Sequence, residues 1–363
     1  MPSRPSGRRP SAPLAEFRLI DRLRRRFGRT TPSVRRGIGD DAALFTPPKG
    51  RELVLTTDLL VEGVHFDPRT ASLEDIGYKA AIANLSDIAA MGAKPEYLLV
   101  SIALPASCTT PQIVRLYKGI MDACRPYRVG LIGGDTSASS DGLFLNLTVT
   151  GSVPAGTALM RSGAHVGDLL YVTGTLGDSL AGLTLLSPAA RRQPSLPLSV
   201  RARRFLIERH RRPTAHPLLG QVLSRHRLAS AAIDLSDGLS GDLRHLCAQS
   251  RVGVEIVAEA LPLSPSLRAY ARAYQADPVT LALQGGEDYE LLFTVPPAQE
   301  RALLRLTQRR GRRLTRIGAI RPAAFGVRIR EAGGRLRSLP ITSYEHFRRA
   351  PDRPAQPARR RQS

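Results

Sequence analysis

The sequence predicts an α/β (α+β) protein of two domains, and three observations carry that prediction. Short apolar runs of strand length alternate with stretches of helical periodicity along most of the chain. A length of 363 residues suffices for two hydrophobic cores. Gly-flanked turns bearing aspartate fall at the ends of those apolar runs. The expected layout is a disordered basic segment 1–13, domains at 14–155 and 156–347, and a disordered Arg-rich tail 348–363.

Taken in order, Leu14, Phe17, Ile20, Leu23 and Phe27 recur at helical spacing and predict an amphipathic first helix. Residues 52–56 read as a short buried strand ending at Thr57-Asp58. The turn at 61–66 carries His65, which reads equally as a hydrogen-bonded structural residue or as a site residue. Ser72 and Asp75 form a capping-box start for a helix to about Met91. Its small residues (Ala80, Ala81, Ala83, Ala89, Ala90) predict close backbone packing and leave Asn84 and Asp87 on one side.

Residues 97–104 form an apolar strand, and Thr110-Pro111 reads as an N-cap and first helical residue of a helix to about Tyr127. Residues 129–132 are a strand stopping at Gly133-Gly134-Asp135-Thr136, and 143–150 alternate as a half-buried strand. Strands are expected at 168–173, 231–234 and 289–295. Helices are expected after Asp178, at 238–250 and at 296–309. The interval 188–217 reads as solvated helix and loop.

Composition narrows the class. With 42% hydrophobic and 23% charged residues the chain reads as a globular protein. No stretch approaches the roughly 20 apolar residues of a membrane span, and the basic N-terminus lacks an apolar signal core, so a cytoplasmic location is expected. The three cysteines, Cys108, Cys124 and Cys247, have neither disulfide-frame nor zinc spacing and read as packing residues. The net charge of +22 invites a nucleic-acid reading. Much of it sits at the two ends, however: eleven Arg against Glu16 and Asp21 in residues 1–36, and six Arg against Asp352 in residues 348–363. Only four of the 53 basic residues are lysines (Lys49, Lys79, Lys94, Lys118), a skew that reads as composition bias. No nucleic-acid motif accompanies it. Nucleic acid is therefore not the expected partner, and a non-catalytic polyanion binder stays as the rival of another class.

The acidic turns carry the chemistry. They are Gly37-Ile38-Gly39-Asp40-Asp41, Thr56-Thr57-Asp58, Asn84-Leu85-Ser86-Asp87, Gly133-Gly134-Asp135, Asp234-Leu235-Ser236-Asp237 and Gly285-Gly286-Glu287-Asp288. The first formally matches G-x-G-x-x-A, but Asp40 and Asp41 would repel a pyrophosphate unless a cation intervened. Carboxylates with neighbouring hydroxyls are hard oxygen ligands that suit Mg²⁺ on the phosphates of a nucleotide. Any one turn alone could be an Asx-turn; six together exceed what a two-carboxylate acid/base mechanism needs. No P-loop and no kinase H-R-D is present, so an ATP enzyme here would be of neither class.

At this point the sequence resembles a known family. GIGDDAALF (37–45), TTDLLVEGVHF (56–66), YKAAIANLSDIAAMGAKP (78–95), LIGGDTS (131–137), AIDLSDGLSGDL (232–243) and GGEDYELLFTV (285–295) are similar to thiamine-monophosphate kinases. That family lies in the ATP-binding superfamily of aminoimidazole ribonucleotide synthetase and selenophosphate synthetase. The resemblance spans about residues 14–347. It implies an aminoimidazole ribonucleotide synthetase-like fold whose N-terminal domain forms a barrel-like interface in a homodimer. It implies transfer of phosphate from ATP to thiamine monophosphate with several Mg²⁺ ions. By motif position, Asp41, Thr56, Thr57, Asp58, Asp87, Asp135, Asp234 and Asp237 would be metal ligands, with Asp58, Asp87, Asp135 and Asp237 nearest the reaction. Tyr117, Gly134, Asp135, Arg161 and Ser236 would contact ATP; His65, Glu287 and Tyr344 would hold the thiamine moiety. The nearest rival is another enzyme of the superfamily with a different acceptor.

Overall fold

The computed structural model describes residues 16–28, 32–36, 38, 43–187, 198–308 and 313–344. Its N-terminal half is built on an open four-stranded sheet in the order β3-β6-β4-β5: β3 (Arg51–Val61), β6 (Phe144–Pro154), β4 (Lys94–Pro105) and β5 (Gly130–Ser139). The first three are antiparallel neighbours, and β5 runs parallel to β4. A two-stranded ribbon, β1 (Val34–Arg36) and β2 (Leu44–Phe45), accompanies it.

One face of this sheet is covered by α2 (Leu73–Ala90), against which α3 (Thr110–Cys124) packs; α1 (Glu16–Phe27) in turn packs on α3. Strand alternation sends Leu98, Val100, Leu145, Leu147 and Val149 inward to meet Ile76, Leu85, Ile88, Leu116 and Ile120. Helices α2 and α3 approach closely because each offers a glycine at the crossing. A Cβ on Gly119 would stand 1.9 Å from the Glu74 carbonyl oxygen, and one on Gly77 2.2 Å from that of Leu116. Ser72 caps α2 in the expected box with Asp75. For α3 the cap is Thr109, boxed with Gln112, rather than Thr110, so Pro111 lies at the second helical position.

The C-terminal half is a seven-stranded sheet in the order β13-β12-β9-β11-β7-β10-β8. In chain order its strands are β7 (Leu169–Thr173), β8 (Ala231–Asp234), β9 (Gly253–Val257), β10 (Leu291–Val295), β11 (Leu314–Arg321), β12 (Val327–Arg330) and β13 (Leu336–Ser338). All pairings are antiparallel except β12 with β9. The central strands β7 and β10 are buried at every residue, which explains their continuous apolar runs. Around the sheet lie α4 (Asp178–Leu186), α5 (Val200–Arg211), α6 (Pro217–Arg225), α7 (Leu239–Ser250), α8 (Pro265–Tyr274), α9 (Pro278–Gln284) and α10 (Pro297–Gln308).

Helix α2 is shared by both halves. It contacts β3 and β6 on one side and α6, β8 and β10 on the other. Twelve of its eighteen residues are buried, so it has no solvated stripe. Its alanines serve this double packing: Ala89 lies so close to α6 that a Cβ on Gly220 would sit 2.1 Å from the Ala89 carbonyl oxygen.

Two strand ends differ from the sequence reading. β3 pairs with β6 along its whole length, so Asp58 lies within a strand and not at its end. β5 continues through Gly133-Gly134-Asp135 to Ser139, with the expected turn replaced by a register shift opposite Leu98 and Leu99. Among the described residues the chain forms no closed barrel, because the four-stranded sheet stays open. The outward face of β3 leaves Leu53, Leu55 and Leu59 53%, 69% and 53% exposed. No helix among the described residues is long and apolar enough to cross a membrane.

Candidate active site

Three elements converge where the two halves meet. β3 presents Thr56 and Asp58 on its inward face, α2 presents Ser86 and Asp87, and β8 ends in Asp234. The Thr56 hydroxyl donates to Asp87 Oδ2. Asp58 Oδ2 is buried with no hydrogen-bond partner. Burial, and then the Asp87 carboxylate, push the Asp58 carboxyl up to about 7. Asp87 is raised by burial against the opposing pull of the Thr56 hydroxyl and the Arg161 charge. Asp234 is raised most: burial, then Asp87 and Asp242, act against the Ser86 hydroxyl, and Asp58 adds to them.

The loop after β8 extends the cluster. Asp242, in the first turn of α7, accepts the backbone N–H groups of Asp237 (3.1 Å) and Gly238 (3.0 Å). It too is pushed up to about 7, by burial first and then by Asp237. Asp242 escaped the sequence reading. Its signal was present, an acid in the first turn behind the Asp-Gly of the same motif, but it resembled a helical surface residue. Arg161 is exposed, yet its charge reaches both Asp87 and Asp242, so the expected ATP contact stands beside the acids. The chemistry of this donor set fits Mg²⁺: carboxylates, the Thr56 and Ser86 hydroxyls, and an orphaned carboxylate oxygen among like charges. Among the described residues no three such side chains already converge as metal ligands, so the fit is by pairs whose remaining coordination would come from water and phosphate.

Other expected residues are distributed around this centre. Thr57 is on the opposite face of β3 with Leu55 and Leu59, its hydroxyl bonded to Asn146, Thr148 and the Leu147 carbonyl; only its backbone could face the acids. Asp135 is exposed on β5. Gly134 before it permits close strand approach, since a Cβ would come within 1.9 Å of the Val100 carbonyl oxygen. Tyr117 is 4% exposed in the N-terminal core, stacked on Phe27 at 6.0 Å, with its phenol pushed up by burial. No described interaction joins it to the acids. Asp40 and Asp41 lie outside the described residues.

The ring-binding candidates gather at a second place. A cavity of about 450 Å³ is lined by His65, Lys79, Leu183, Leu186, His210 and Arg211, among others. Val61 N–H donates to His65 Nδ1 at 3.0 Å, which assigns the ring proton to Nε2. Beside the cavity is Glu287, whose carboxylate pairs with buried Lys79 at 2.5 Å and stands 3.4 Å from His210 Nδ1. Burial opposes its ionisation, but Lys79, then His210 and His65, hold its carboxyl below the usual range. Tyr344 adjoins the acid loop through its N–H to the Asp237 carbonyl (3.1 Å), with its side chain half exposed.

The segment 285–290 joins the two places. Glu287 N–H donates to the Ser236 carbonyl (2.7 Å) and Tyr289 N–H to that of Leu235 (2.9 Å). Glu287 and Tyr289 both take left-handed φ, 62° and 53°, and bracket Asp288. Asp288 turns into the C-terminal half and accepts the N–H groups of Gly177 (2.6 Å) and Ser179 (3.2 Å) at the start of α4. Glu290 is buried between Arg209, His216 and Thr173. Tyr289 packs into the N-terminal core. A two-sided strap of this kind needs distant partners, and only Glu287 was singled out from sequence.

Comparison with known proteins identifies the family. The family description "AIR synthase related protein, N-terminal domain" matches residues 39–153, and its C-terminal counterpart matches 165–329. A thiamine-monophosphate kinase of Salmonella typhimurium is 41% identical over 337 residues, covering 92% of this chain and 98% of the relative. The crystal structure of thiamine-monophosphate kinase from Stenotrophomonas maltophilia is 39% identical with a TM-score of 0.76, over 88% of this chain and 97% of that one. A structure described as "AaThiL complexed with AMPPCP and TMP" is 35% identical with a TM-score of 0.71, over 92% and 97%. By sequence and by fold, the chain belongs to the thiamine-monophosphate kinase family.

Proposed function

We propose that the protein transfers the γ-phosphoryl group of ATP to thiamine monophosphate, giving ADP and thiamine diphosphate. The observation that carries the reading is the partnerless, buried Asp58 Oδ2 among Asp87 and Asp234, in a chain 41% identical to a named kinase of this type. Bound cations would compensate the like charges of such a cluster. Asp58, Asp87, Asp234 and Asp237, with Thr56, Asp135, Asp41 and the Thr57 backbone, are the groups that would hold Mg²⁺. Bound there, Mg²⁺ would neutralise phosphate charge and align the two phosphates.

The acceptor is a phosphate oxygen ionised at neutral pH, so the residues need not supply a strong base. What they must overcome is repulsion, about 4 kcal/mol for each pair of unit charges 4 Å apart at an effective dielectric of 20. Arg161, Ser236 and the Gly134 backbone suit the nucleotide, and His65, Glu287 and Tyr344 the acceptor. Transfer is direct; a stable phosphorylated Asp or His after incubation with labelled ATP would refute that step. The exposed leucines of β3 support a homodimer through that face, where a barrel-like interface would form across two copies. Domains at 14–155 and 156–347 and a cytoplasmic location belong to the same reading. The deciding experiment incubates the protein with MgATP and thiamine monophosphate and measures the product mass. Thiamine diphosphate is expected, and hydrolysis to ADP and phosphate alone would overturn the assignment.

A further inference from the structure

Lys79 has no role in the reading so far, yet it is the most unusually placed lysine in the chain. Its side chain is 6% exposed on α2, and its ammonium lies 2.5 Å from Glu287 Oε1. Charged lysines are seldom buried without a partner, and Glu287 is that partner. The remaining carboxylate oxygen, Oε2, faces His210 Nδ1 at 3.4 Å, and that nitrogen is also 3.1 Å from the Ser179 hydroxyl. Burial, then Lys79, lower His210 to about 4, so its ring is neutral at physiological pH. Arg211 also lines the cavity, its Nε buried without a partner and its guanidinium bonded to the Thr70 carbonyl.

These charges decide what the cavity can recognise. A carboxylate already neutralised by a buried ammonium offers little further attraction to a fixed cation, and the other charges lining the cavity, Glu62, Asp67 and Asp75 with Arg69 and Arg211, are of both signs. It still offers lone pairs to a neutral N–H donor. Along α2, Lys79 and Asp87 are eight residues apart, about 12 Å at 1.5 Å per residue. That separation is comparable to an extended phosphate ester carrying two linked heterocycles, with the phosphate at the acid cluster.

Resting on the proposed function, we infer that Lys79 is a positioning residue that fixes the Glu287 carboxylate to accept a hydrogen bond from the exocyclic amine of the acceptor's neutral aminopyrimidine ring. The cationic thiazolium is not the group Glu287 selects. Glu287 keeps the specificity role expected from the sequence, but for the other ring.

Two arms test this. In the first, wild-type protein is given thiamine monophosphate or its 4-oxo analogue, which keeps the thiazolium and replaces the amine by a carbonyl. A carbonyl facing a carboxylate is mispaired, so kcat/KM for the analogue should fall at least about tenfold. Equal use of the two would overturn the inference. In the second, Lys79→Met should raise KM for thiamine monophosphate about tenfold or more with KM for ATP within about twofold, and Lys79→Arg should restore most of the loss.

Lys79→Met should also give 1/KM for thiamine monophosphate an acid limb absent from the wild type, because Glu287 loses its counter-charge. Lys79 from α2, His210 from α5, His65 from the β3–α2 connection and the adjoining Tyr289 are the ionisable groups facing Glu287. An unchanged KM for thiamine monophosphate, or equal rises for both substrates, would overturn the inference. If circular dichroism shows Lys79→Met unfolded, the analogue arm decides. A wild type that makes no diphosphate at all refutes the proposed function and this inference together. Turnover that ignores the amine refutes only the inference.

Discussion

The two regions along α2, around Asp87 and around Lys79, have opposite electrostatic designs. At the Asp87 end, carboxylates are buried against one another, and one Asp58 oxygen has no partner. At the Lys79 end, the buried carboxylates are matched by bases: Glu287 by Lys79, and Glu290 by Arg209 and His216. On the proposed function the first region is incomplete until cations bind, whereas the second, its buried carboxylates matched by bases, is complete as folded. A like-charge cluster is poorly stabilised by the protein alone, whereas a paired network fixes geometry in advance. Phosphoryl transfer between two anions requires the first design, and recognition of a ring requires the second.

The largest effect should come from breaking the incomplete end. Asp58→Asn should reduce kcat with MgATP by about a thousandfold or more, since metal-borne charge stabilisation is worth several kcal/mol. The same change should leave the metal-free fold as stable as the wild type or more so, because it removes a charge that burial and Asp87 oppose. Near-normal turnover, or a lower melting temperature without Mg²⁺, would break the comparison at this end.

Breaking the complete end should look different. Glu287→Gln strands buried Lys79, and the partial exposure of the pair reduces the cost to about 2 kcal/mol of stability. KM for thiamine monophosphate should rise about tenfold while KM for ATP changes little. Equal losses for both ligands would refute the role of Glu287, and no change in urea unfolding would refute the pairing.

The two regions should also titrate in opposite directions. Asp58 and Asp242 move from an unfolded value of 3.8 to about 7 in the fold. Between about pH 4 and 7 the folded state therefore holds more protons than the unfolded state, and these acids make the metal-free protein less stable as pH rises. Mg²⁺ offsets that loss, so the melting shift it produces should grow from pH 5 to pH 8. Glu287 and Glu290 are lowered from 4.5, burial being outweighed by Lys79 and by His216 respectively. Their contribution is present above about pH 4.5 and is lost as pH falls through their folded values. A Mg²⁺ shift independent of pH would contradict the first half, measured by thermal melts with and without the ion.

How much of this was legible in the sequence follows the range of the forces involved. Short-range signals are legible in it: the Ser72–Asp75 box, the helix through Asp87 and the buried strand ending at Asp234. The acid cluster was legible because its members sit in recognisable Gly- and Ser-bearing turns. Long-range pairing was not. Thr56-Thr57-Asp58 resembles a turn, but β6 supplies eleven paired residues and keeps the segment extended. Lys79 resembles one more polar residue on a helix, because Glu287 is over two hundred positions away and only the fold brings it near. Tyr117 has helical spacing compatible with either face, and Phe27 decides that it is buried.

The smallest expected effect concerns charge that belongs to neither region. The Arg-rich segments 1–13 and 348–363 carry +8 of the +22 and contain none of the residues named at either end of α2. If catalysis depends on local compensation by bound cations, long-range positive charge contributes little beyond a Debye length of about 8 Å at physiological ionic strength. Deleting both segments should therefore leave kcat/KM for thiamine monophosphate within about twofold at 150 mM salt. A somewhat larger decrease should appear only at low salt, where steering of anionic substrates extends further. A large loss at both ionic strengths would mean that the terminal arginines act within the site, and the division into an incomplete and a complete end would have to include them.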